Sequence, residues 1–385
     1  MDFELTQEQR MLQESARLMA ADFIEPILEA NDREKALPKA EMLRIFRRFG
    51  EEGLTAPRLP VEEGGSGMKM FDYGIVYEQM PSMIGHAMLS HEVTVTRIRA
   101  GGSEEQWRRL LPDMIAGRRI GCTGSTEPDT GSDPRGVRTR MRIEGDEVVV
   151  TGRKMWITNG DISDLCLVTC SAGTDASGRN QLQRVIVERE VGRYESRKIK
   201  CIGLKQGHMA ELLFDDCRVP KSAAISDKTD MARLLTVTWT ANRALLGLMA
   251  VGMAQRAFDA ALAYAGVRRA FGKVIAGKQL VQERLADIAA AVETSRLLCY
   301  KALAAIDRGD RVNGLAAMAK RHATNACLNA ISWAMEVHGA MGLSEEVGLE
   351  ELYRDARMLL VPDGTNQILA MIVGRELTGQ DAFRS

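Results

Sequence analysis

The stretch Val148-Val149-Val150-Thr151-Gly152-Arg153-Lys154-Met155-Trp156-Ile157-Thr158-Asn159-Gly160 decides the fold of this 385-residue chain. A β-branched run that reaches a tryptophan and closes on Asn-Gly predicts a strand ending in a tight turn. Side-chain alternation along it would place Trp156 and Thr158 on one side. Similar short runs surround it at Leu165–Cys170, Gln183–Glu188 and Leu212–Phe214, separated by turns such as Glu144-Gly145-Asp146 and Ala172-Gly173-Thr174-Asp175. Together they predict a compact β domain between Arg119 and Pro220.

On either side the rhythm is helical. Thr6 and Gln9 form a capping box, and Leu12, Ala16, Met19 and Phe23 share one helix face that is expected to stop at Pro26. Further helices are expected over Ala40–Glu51 and Phe71–Ser82, with a glycine-rich loop from Pro60 to Gly67 between them. Beyond Asp230, Leu245, Met249, Gly252 and Met253 make one apolar stripe. Val281, Leu285, Ile288 and Val292 make another. Loops at Arg308-Gly309-Asp310 and Asn313-Gly314 divide this region into antiparallel helices, which implies a four-helix bundle. The expected fold class is therefore α+β and multidomain. It comprises an N-terminal all-α domain (1–117), a middle β-barrel or sandwich-like domain (118–228) and a C-terminal four-helix bundle (229–385).

Hydrophobic content of 45% with 27% charged residues describes a globular chain and excludes global disorder. The formal net charge of −1 gives no field to attract nucleic acid or an anionic membrane. No run of about 18 apolar residues exists, so no bilayer span is expected. Met1-Asp2-Phe3-Glu4 lacks the basic-then-apolar layout of a signal peptide, and the seven cysteines are scattered without a CxxC pair. These features lead to the expectation of a reduced, cytoplasmic setting with no metal site.

Four segments can carry chemistry. Gly124-Ser125-Thr126-Glu127-Pro128-Asp129-Thr130-Gly131-Ser132-Asp133 gathers hydroxyls and glycine amides that suit a phosphate or the polar edge of a planar ring, although such residues dominate ordinary turns too. Trp156 can stack on a flat cofactor beside the Thr158 hydroxyl, or be a core tryptophan next to a hairpin. Arg268-Arg269-Ala270-Phe271-Gly272-Lys273, leading to Gln279 and Gln282, reads as a diphosphate site ahead of a helix or as solvated charge. Asp363, between Pro362 and Gly364, either presents a carboxylate to a ligand or caps the next helix. No Ser-His-Asp or Cys-His arrangement and no GxGxxG sequence competes with these, so a flavin suits a redox reading better than a nicotinamide.

In this order and on this layout the segments resemble the acyl-CoA dehydrogenase family nearly end to end. Thr126-Glu127-Pro128…Gly131-Ser132-Asp133 and Lys154-Met155-Trp156-Ile157-Thr158-Asn159 look like its two flavin-loop motifs. Arg268…Phe271-Gly272-Lys273…Gln279, Leu285-Ala286-Asp287 and Tyr353-Arg354-Asp355-Ala356-Arg357 match its C-terminal patterns. The resemblance implies FAD, with Thr123, Ser125, Thr126, Gly131, Ser132, Trp156, Ile157 and Thr158 around the isoalloxazine. It assigns Arg268, Phe271 and Gln279, with Glu336, His338, Gly339, Thr365 and Gln367, to the rest of the cofactor. Part of that set would come from a neighbouring subunit of a homotetramer built as a dimer of dimers. Ser132, Asn242, Arg243 and Gly364 would meet the acyl-CoA substrate, and an electron-transferring flavoprotein would accept the electrons.

By the same resemblance Asp363 stands at the catalytic-base position, where the family usually has Glu after Tyr. Asn242 stands where other members keep the base, and Glu336 replaces a usual Gln. The implied reaction is α,β-dehydrogenation to the trans-2-enoyl thioester, the base taking the α proton and flavin N5 the β hydride. An enoyl-CoA reductase of the same fold and a non-catalytic flavin-binding protein are the alternatives.

Overall fold

The computed structural model describes residues 4–225 and 231–383. Helix α1 (Gln7–Met19) begins as expected, with the Thr6 side chain accepting from the Gln9 N–H and the Gln9 side chain returning to the Thr6 N–H. It does not stop at Pro26. Ala20–Ile24 widens into a π turn, and α2 (Glu25–Glu29) continues with Pro26 in its first turn. The wider turn, with the Glu25 N–H bonded to Ala20 O, takes up the break that the missing proline N–H makes in the ladder.

Three longer helices follow: α3 (Lys39–Glu51), α4 (Met70–Gln79) and α5 (Ser82–Gly101). The single helix expected over Phe71–Ser82 breaks because Met80 precedes Pro81 and is forced extended (φ −73°, ψ 143°), so Ser82 opens α5 instead. Helix α6 (Glu104–Ile115) carries a second capping box, Ser103 with Gln106.

Strands β1 (Gly121–Gly124), β2 (Arg140–Glu144), β3 (Glu147–Thr158), β4 (Leu165–Thr174) and β5 (Asn180–Glu188) lead to the short α7 (Arg189–Gly192). Strands β6 (Glu195–Lys198) and β7 (Met209–Pro220) complete one seven-stranded sheet in the order β1-β4-β2-β3-β7-β6, with β5 on β4. The sheet curls around Val148, Val150, Ile157, Cys166, Val168, Val185, Leu212 and Phe214. Its other face lays Leu165, Leu167 and Ile186 against Val95 and Ile98 of α5 and Leu110 and Met114 of α6. The central β domain is thereby welded to the helix α5.

Helix α8 (Met231–Val267) is followed by a hairpin of β8 (Arg269–Ala270) and β9 (Lys273–Val274). Then come α9 (Gln279–Asp307), α10 (Asn313–His338), α11 (Leu349–Met358) and α12 (Asn366–Thr378). Asn313-Gly314, expected in a loop, opens α10, its Gly314 N–H bonded to the Glu376 carboxylate at 2.7 Å. The segment Thr238–Val267 is long and apolar enough to cross a membrane by composition, but 67% of its window is buried inside the protein. Gly252 explains part of that burial, since a Cβ there would sit 2.3 Å from the Glu78 carbonyl of α4. First and last helical regions thus share one core, Tyr73, Val76 and Met80 packing with Leu245, Leu248 and Met249. The expected boundary at 228/229 lies outside the described residues.

Candidate active site

The link between α11 and α12 forms a strained turn. Asp363 has φ 51° and Gly364 φ 104°, the second a conformation that only glycine adopts without strain. Capping of α12 falls to Thr365, whose side chain accepts from the Ile368 N–H. Asp363 is therefore not the cap, and among the described residues its half-buried carboxylate receives no hydrogen bond. Its main-chain N–H is likewise without an intramolecular partner among the described residues.

Two buried cations hold this turn by three successive carbonyls. Lys320 Nζ donates to Pro362 O and, at 2.7 Å, to Gly364 O. Arg243 Nε donates to Asp363 O at 3.1 Å, while its Nη1 reaches Asn313 Oδ1 at 2.6 Å. Burial pushes the Lys320 amine down to about 7 and the nearby Arg243 lowers it further, with the Asp363 charge opposing both. Arg243, expected to hold the substrate's CoA, spends its guanidinium on the turn that bears Asp363.

Asn242, next along α8, is 4% exposed, and its side-chain oxygen accepts from Arg58 Nη2 at 2.7 Å. The same Arg58 nitrogen donates to Glu92 at 2.6 Å, and Glu92 is wholly buried on α5. One turn further along α5, Arg97 gives both Nε and Nη2 to the Thr238 hydroxyl. Sequence reasoning missed Arg58, Glu92, Arg97 and Lys320. The available signal was a charge inside an apolar helical stretch, as in Val93-Thr94-Val95-Thr96-Arg97-Ile98 or Ala316-Ala317-Met318-Ala319-Lys320.

A second surface forms where β1 and β3 end. Glu127 accepts from the N–H groups of Arg138 (2.7 Å) and Thr139 (2.9 Å) and from Lys154 Nζ (2.7 Å), a buried pair that pins the 124–133 loop to β3. Burial raises the Glu127 carboxyl, yet the bonds from Lys154 and Thr139 bring it to a net value below the ordinary one. Met155 N–H donates to Thr126 O at 2.9 Å and closes the seam. Thr123 shares a hydroxyl contact with Thr94 of α5 (3.0 Å), and Ser125 with Thr169 of β4 (3.3 Å). Thr126 is half-buried, while Gly131 and Ser132 are exposed on the loop.

The strand is irregular just before the tryptophan. The β3–β7 register shifts between Lys154 and Ile157, and Trp156 takes φ 62° in the resulting bulge. The bulge turns Trp156 out to 50% exposure, whereas the Ile157 side chain is buried in the sheet core. Ile157, expected at the flavin, can offer a cofactor only its main chain. Thr158 is half-buried, with its carbonyl accepting from Ser90 of α5.

The remaining expected cofactor residues lie beside the β8–β9 hairpin, at the end of α10 and at the start of α12. Phe271, at the tip of the β8–β9 hairpin, has φ 52° and is 95% exposed, and Arg268 and Gln279 flank it on the exterior. Glu336 is exposed and faces Arg284 at 3.4 Å. His338 is buried, stacks on Tyr264 at 4.4 Å and contacts the Ala334 carbonyl at 2.8 Å. Gly339 (φ 61°) ends α10, and Gln367 is exposed in the first turn of α12.

An N-terminal helical domain, a central curled sheet and a C-terminal helical domain together make the three-domain fold of oxidoreductases that act on acyl-CoA. The chain belongs to the acyl-CoA dehydrogenase family. The family's N-terminal, middle and C-terminal domains match residues 6–118, 122–217 and 233–378. It is 33% identical to a probable acyl-CoA dehydrogenase of Bacillus subtilis (strain 168), over 98% of this chain and 100% of that one. A glutaryl-CoA dehydrogenase from Mycobacterium smegmatis superposes with a TM-score of 0.90 at 30% identity, covering 99% of this chain and 97% of the other. A structure of glutaryl-CoA dehydrogenase from Mycobacterium smegmatis in complex with FADH2 gives the same TM-score at 26% identity, with coverage of 99% and 97%. Members of this family are FAD-dependent oxidoreductases, and FAD is the cofactor of this chain.

Proposed function

We propose that the chain removes the α proton and the β hydride of an acyl-CoA thioester to give the trans-2-enoyl-CoA, with Asp363 as the base. The observation that carries this reading is the Asp363 carboxylate itself, free of hydrogen bonds among the described residues on a turn whose three carbonyls are anchored by Lys320 and Arg243. A base must hold its position within a fraction of an ångström, because about 1 Å of misplacement costs on the order of 10²-fold in rate. An aspartate reaches roughly 1.5 Å less far than a glutamate, one C–C bond. A rigid turn in left-handed backbone conformation suits that shorter reach.

The α proton of a thioester leaves only if the carbonyl oxygen is stabilised as charge builds on it. The unpartnered Asp363 N–H supplies one donor on the same residue as the base. Lys320 and Arg243 hold the main chain on which that N–H and the carboxylate sit.

The platform residues fit the flavin. Trp156 offers an exposed aromatic face, Thr158 a hydroxyl beside it, and Thr126 with Ser132 further polar groups on a loop fixed by Glu127 and Lys154. FAD, when bound there, supplies the hydride acceptor. The exposed apolar side chains Val267 (76%), Phe271 (95%) and Leu280 (76%) around the β8–β9 hairpin support a homotetramer in which that hairpin meets a neighbouring copy. An electron-transferring flavoprotein would then reoxidise the cofactor.

The test is anaerobic bleaching of the visible flavin band against saturated acyl-CoAs with short, branched, long, cyclic and charged acyl groups. Rapid bleaching by one class is expected. Bound flavin that no thioester bleaches would sink the dehydrogenase reading.

A further inference from the structure

The polar groups packed around Asp363 exceed what a hydrocarbon acyl chain needs. Tyr73 and Tyr77 of α4 are wholly buried, and neither hydroxyl has a hydrogen-bond partner. Arg58 Nε and His86 Nδ1 are buried and unpartnered as well. Arg58 bonds both Glu92 and Asn242, and Arg243, next to Asn242, bonds the Asp363 carbonyl, while the Asp363 charge also acts on Tyr77, His86 and Arg97, so these side chains form one neighbourhood. Tyr73 and Tyr77 lie 6.0 Å apart ring to ring, and a Cβ on Gly85 of α5 would come within 3.6 Å of Tyr77 Cζ. Gly85 therefore keeps the hydroxyl end of Tyr77 uncrowded.

Buried polar atoms without partners are costly and rare, and several in one place point to a ligand that supplies the missing bonds. The kind of ligand follows from what is unpartnered. Two phenol O–H groups and a guanidinium N–H are donors, and burial raises both phenols well above their ordinary range, so they stay protonated. The charge is unbalanced in the same sense. Among the described residues, three guanidinium groups (Arg58, Arg97, Arg243) and the Lys320 amine are grouped with two carboxylates, Glu92 and Asp363. Arg97, 3% exposed, bonds only the Thr238 hydroxyl and no carboxylate among the described residues.

We propose that the acyl group carries a carboxylate at its far end, received by Arg58, Arg97 and the Tyr73 and Tyr77 hydroxyls. This rests on the acyl-thioester reading and names its substrate class. A carboxylate brings the acceptors and the negative charge that these side chains lack among the described residues. A methyl-terminated chain would leave every one of the donors unsatisfied, and sites built to hydrogen-bond a substrate reject analogues that cannot do so by large factors.

The experiment pairs carboxylate-terminated acyl-CoAs with methyl-terminated ones of equal chain length. Binding to the holoenzyme is followed by calorimetry and flavin reduction by anaerobic stopped flow. At least about 100-fold preference for the carboxylated member in affinity is expected. Tyr77→Phe removes one oxygen and one unsatisfied donor, so it should raise Tm while weakening carboxylate binding about tenfold and leaving methyl-terminated binding unchanged. Arg97→Met should weaken carboxylate binding further. If Arg97→Met does not fold, Tyr77→Phe and Tyr73→Phe decide the matter. Equal or tighter binding of methyl-terminated thioesters overturns the proposal while leaving dehydrogenation intact. Preferential binding of the carboxylated thioesters without flavin reduction would uphold this subsite and overturn the dehydrogenase reading instead.

Discussion

The Lys320 amine donates to the Gly364 carbonyl at 2.7 Å from a wholly buried position on α10. Its second bond goes to the Pro362 carbonyl, so one side chain grips both neighbours of Asp363. A buried side chain here holds main chain, and the carboxylate between accepts no hydrogen bond among the described residues.

Lys320 is thus a positioning residue. Lys320→Met should lower kcat on the order of 10²-fold while shifting KM for the thioester much less, since the turn loosens and the CoA contacts stay. A matched loss in KM alone, read by steady-state kinetics, would assign Lys320 to binding instead.

The same residue gives a pH signature. Its folded value of about 7 lies below the ordinary amine value of 10.5, so the unfolded chain holds the extra proton across that interval. Stability should therefore rise with pH between about 7 and 10.5 on this residue's account. Denaturant titrations at several pH values should show that slope in the wild type and a flatter one in Lys320→Met. Equal slopes would mean that the amine is not perturbed.

Gly364→Ala puts a side chain at φ 104° and 3.2 Å from Leu369 Cδ2. A cost of about 1–3 kcal/mol is expected from backbone strain, together with a displaced Asp363 and slower flavin reduction. An unchanged Tm would show that the turn is relaxed.

Lys154 and Glu127 form a buried pair, 0% and 5% exposed at the side chain, at the seam between the 124–133 loop and β3 where we propose the flavin sits. Lys154→Met strands the Glu127 carboxylate and should cost about 3–5 kcal/mol. Much of the FAD should be lost on gel filtration. Adding Glu127→Gln should recover part of both, and the absence of any recovery would refute the pairing argument.

Phe271→Asp tests the assembly. Placing a charge on the 95% exposed tip of the hairpin should dissociate a tetramer into smaller species in sedimentation velocity. It should also weaken FAD retention if the neighbouring subunit helps to hold the cofactor. A wild-type monomer, or an intact tetramer in the variant, would contradict this.

Much of the architecture was legible because local signals and tertiary packing agree. The Thr6/Gln9 box, the β-rich runs around Val148 and the stripes on α8 and α9 all specify elements that then pack as their patterns require. Where reading failed, longer-range geometry decided. Pro26 is absorbed by a π turn, Pro81 splits a helix, and the bulge at Met155-Trp156 sends Trp156 outward and Ile157 inward.

The site was half legible. Asp363 was readable from Pro-Asp-Gly ahead of a helix, and the structure resolves its two readings by giving the cap to Thr365. Lys320 and Arg97 could not be linked to it, because their meeting depends on how α10 and α5 pack around the α11–α12 turn. Arg243 shows the converse, a residue expected on the ligand that also serves the backbone.

The most direct test of the central claim is single-turnover flavin reduction by Asp363→Asn, prepared with FAD bound and with its Tm compared to the wild type. The account predicts a fully folded flavoprotein that binds the acyl-CoA and reduces its flavin at least about 10³-fold more slowly, in line with removal of a general base. Reduction at the wild-type rate would contradict it and move the base elsewhere.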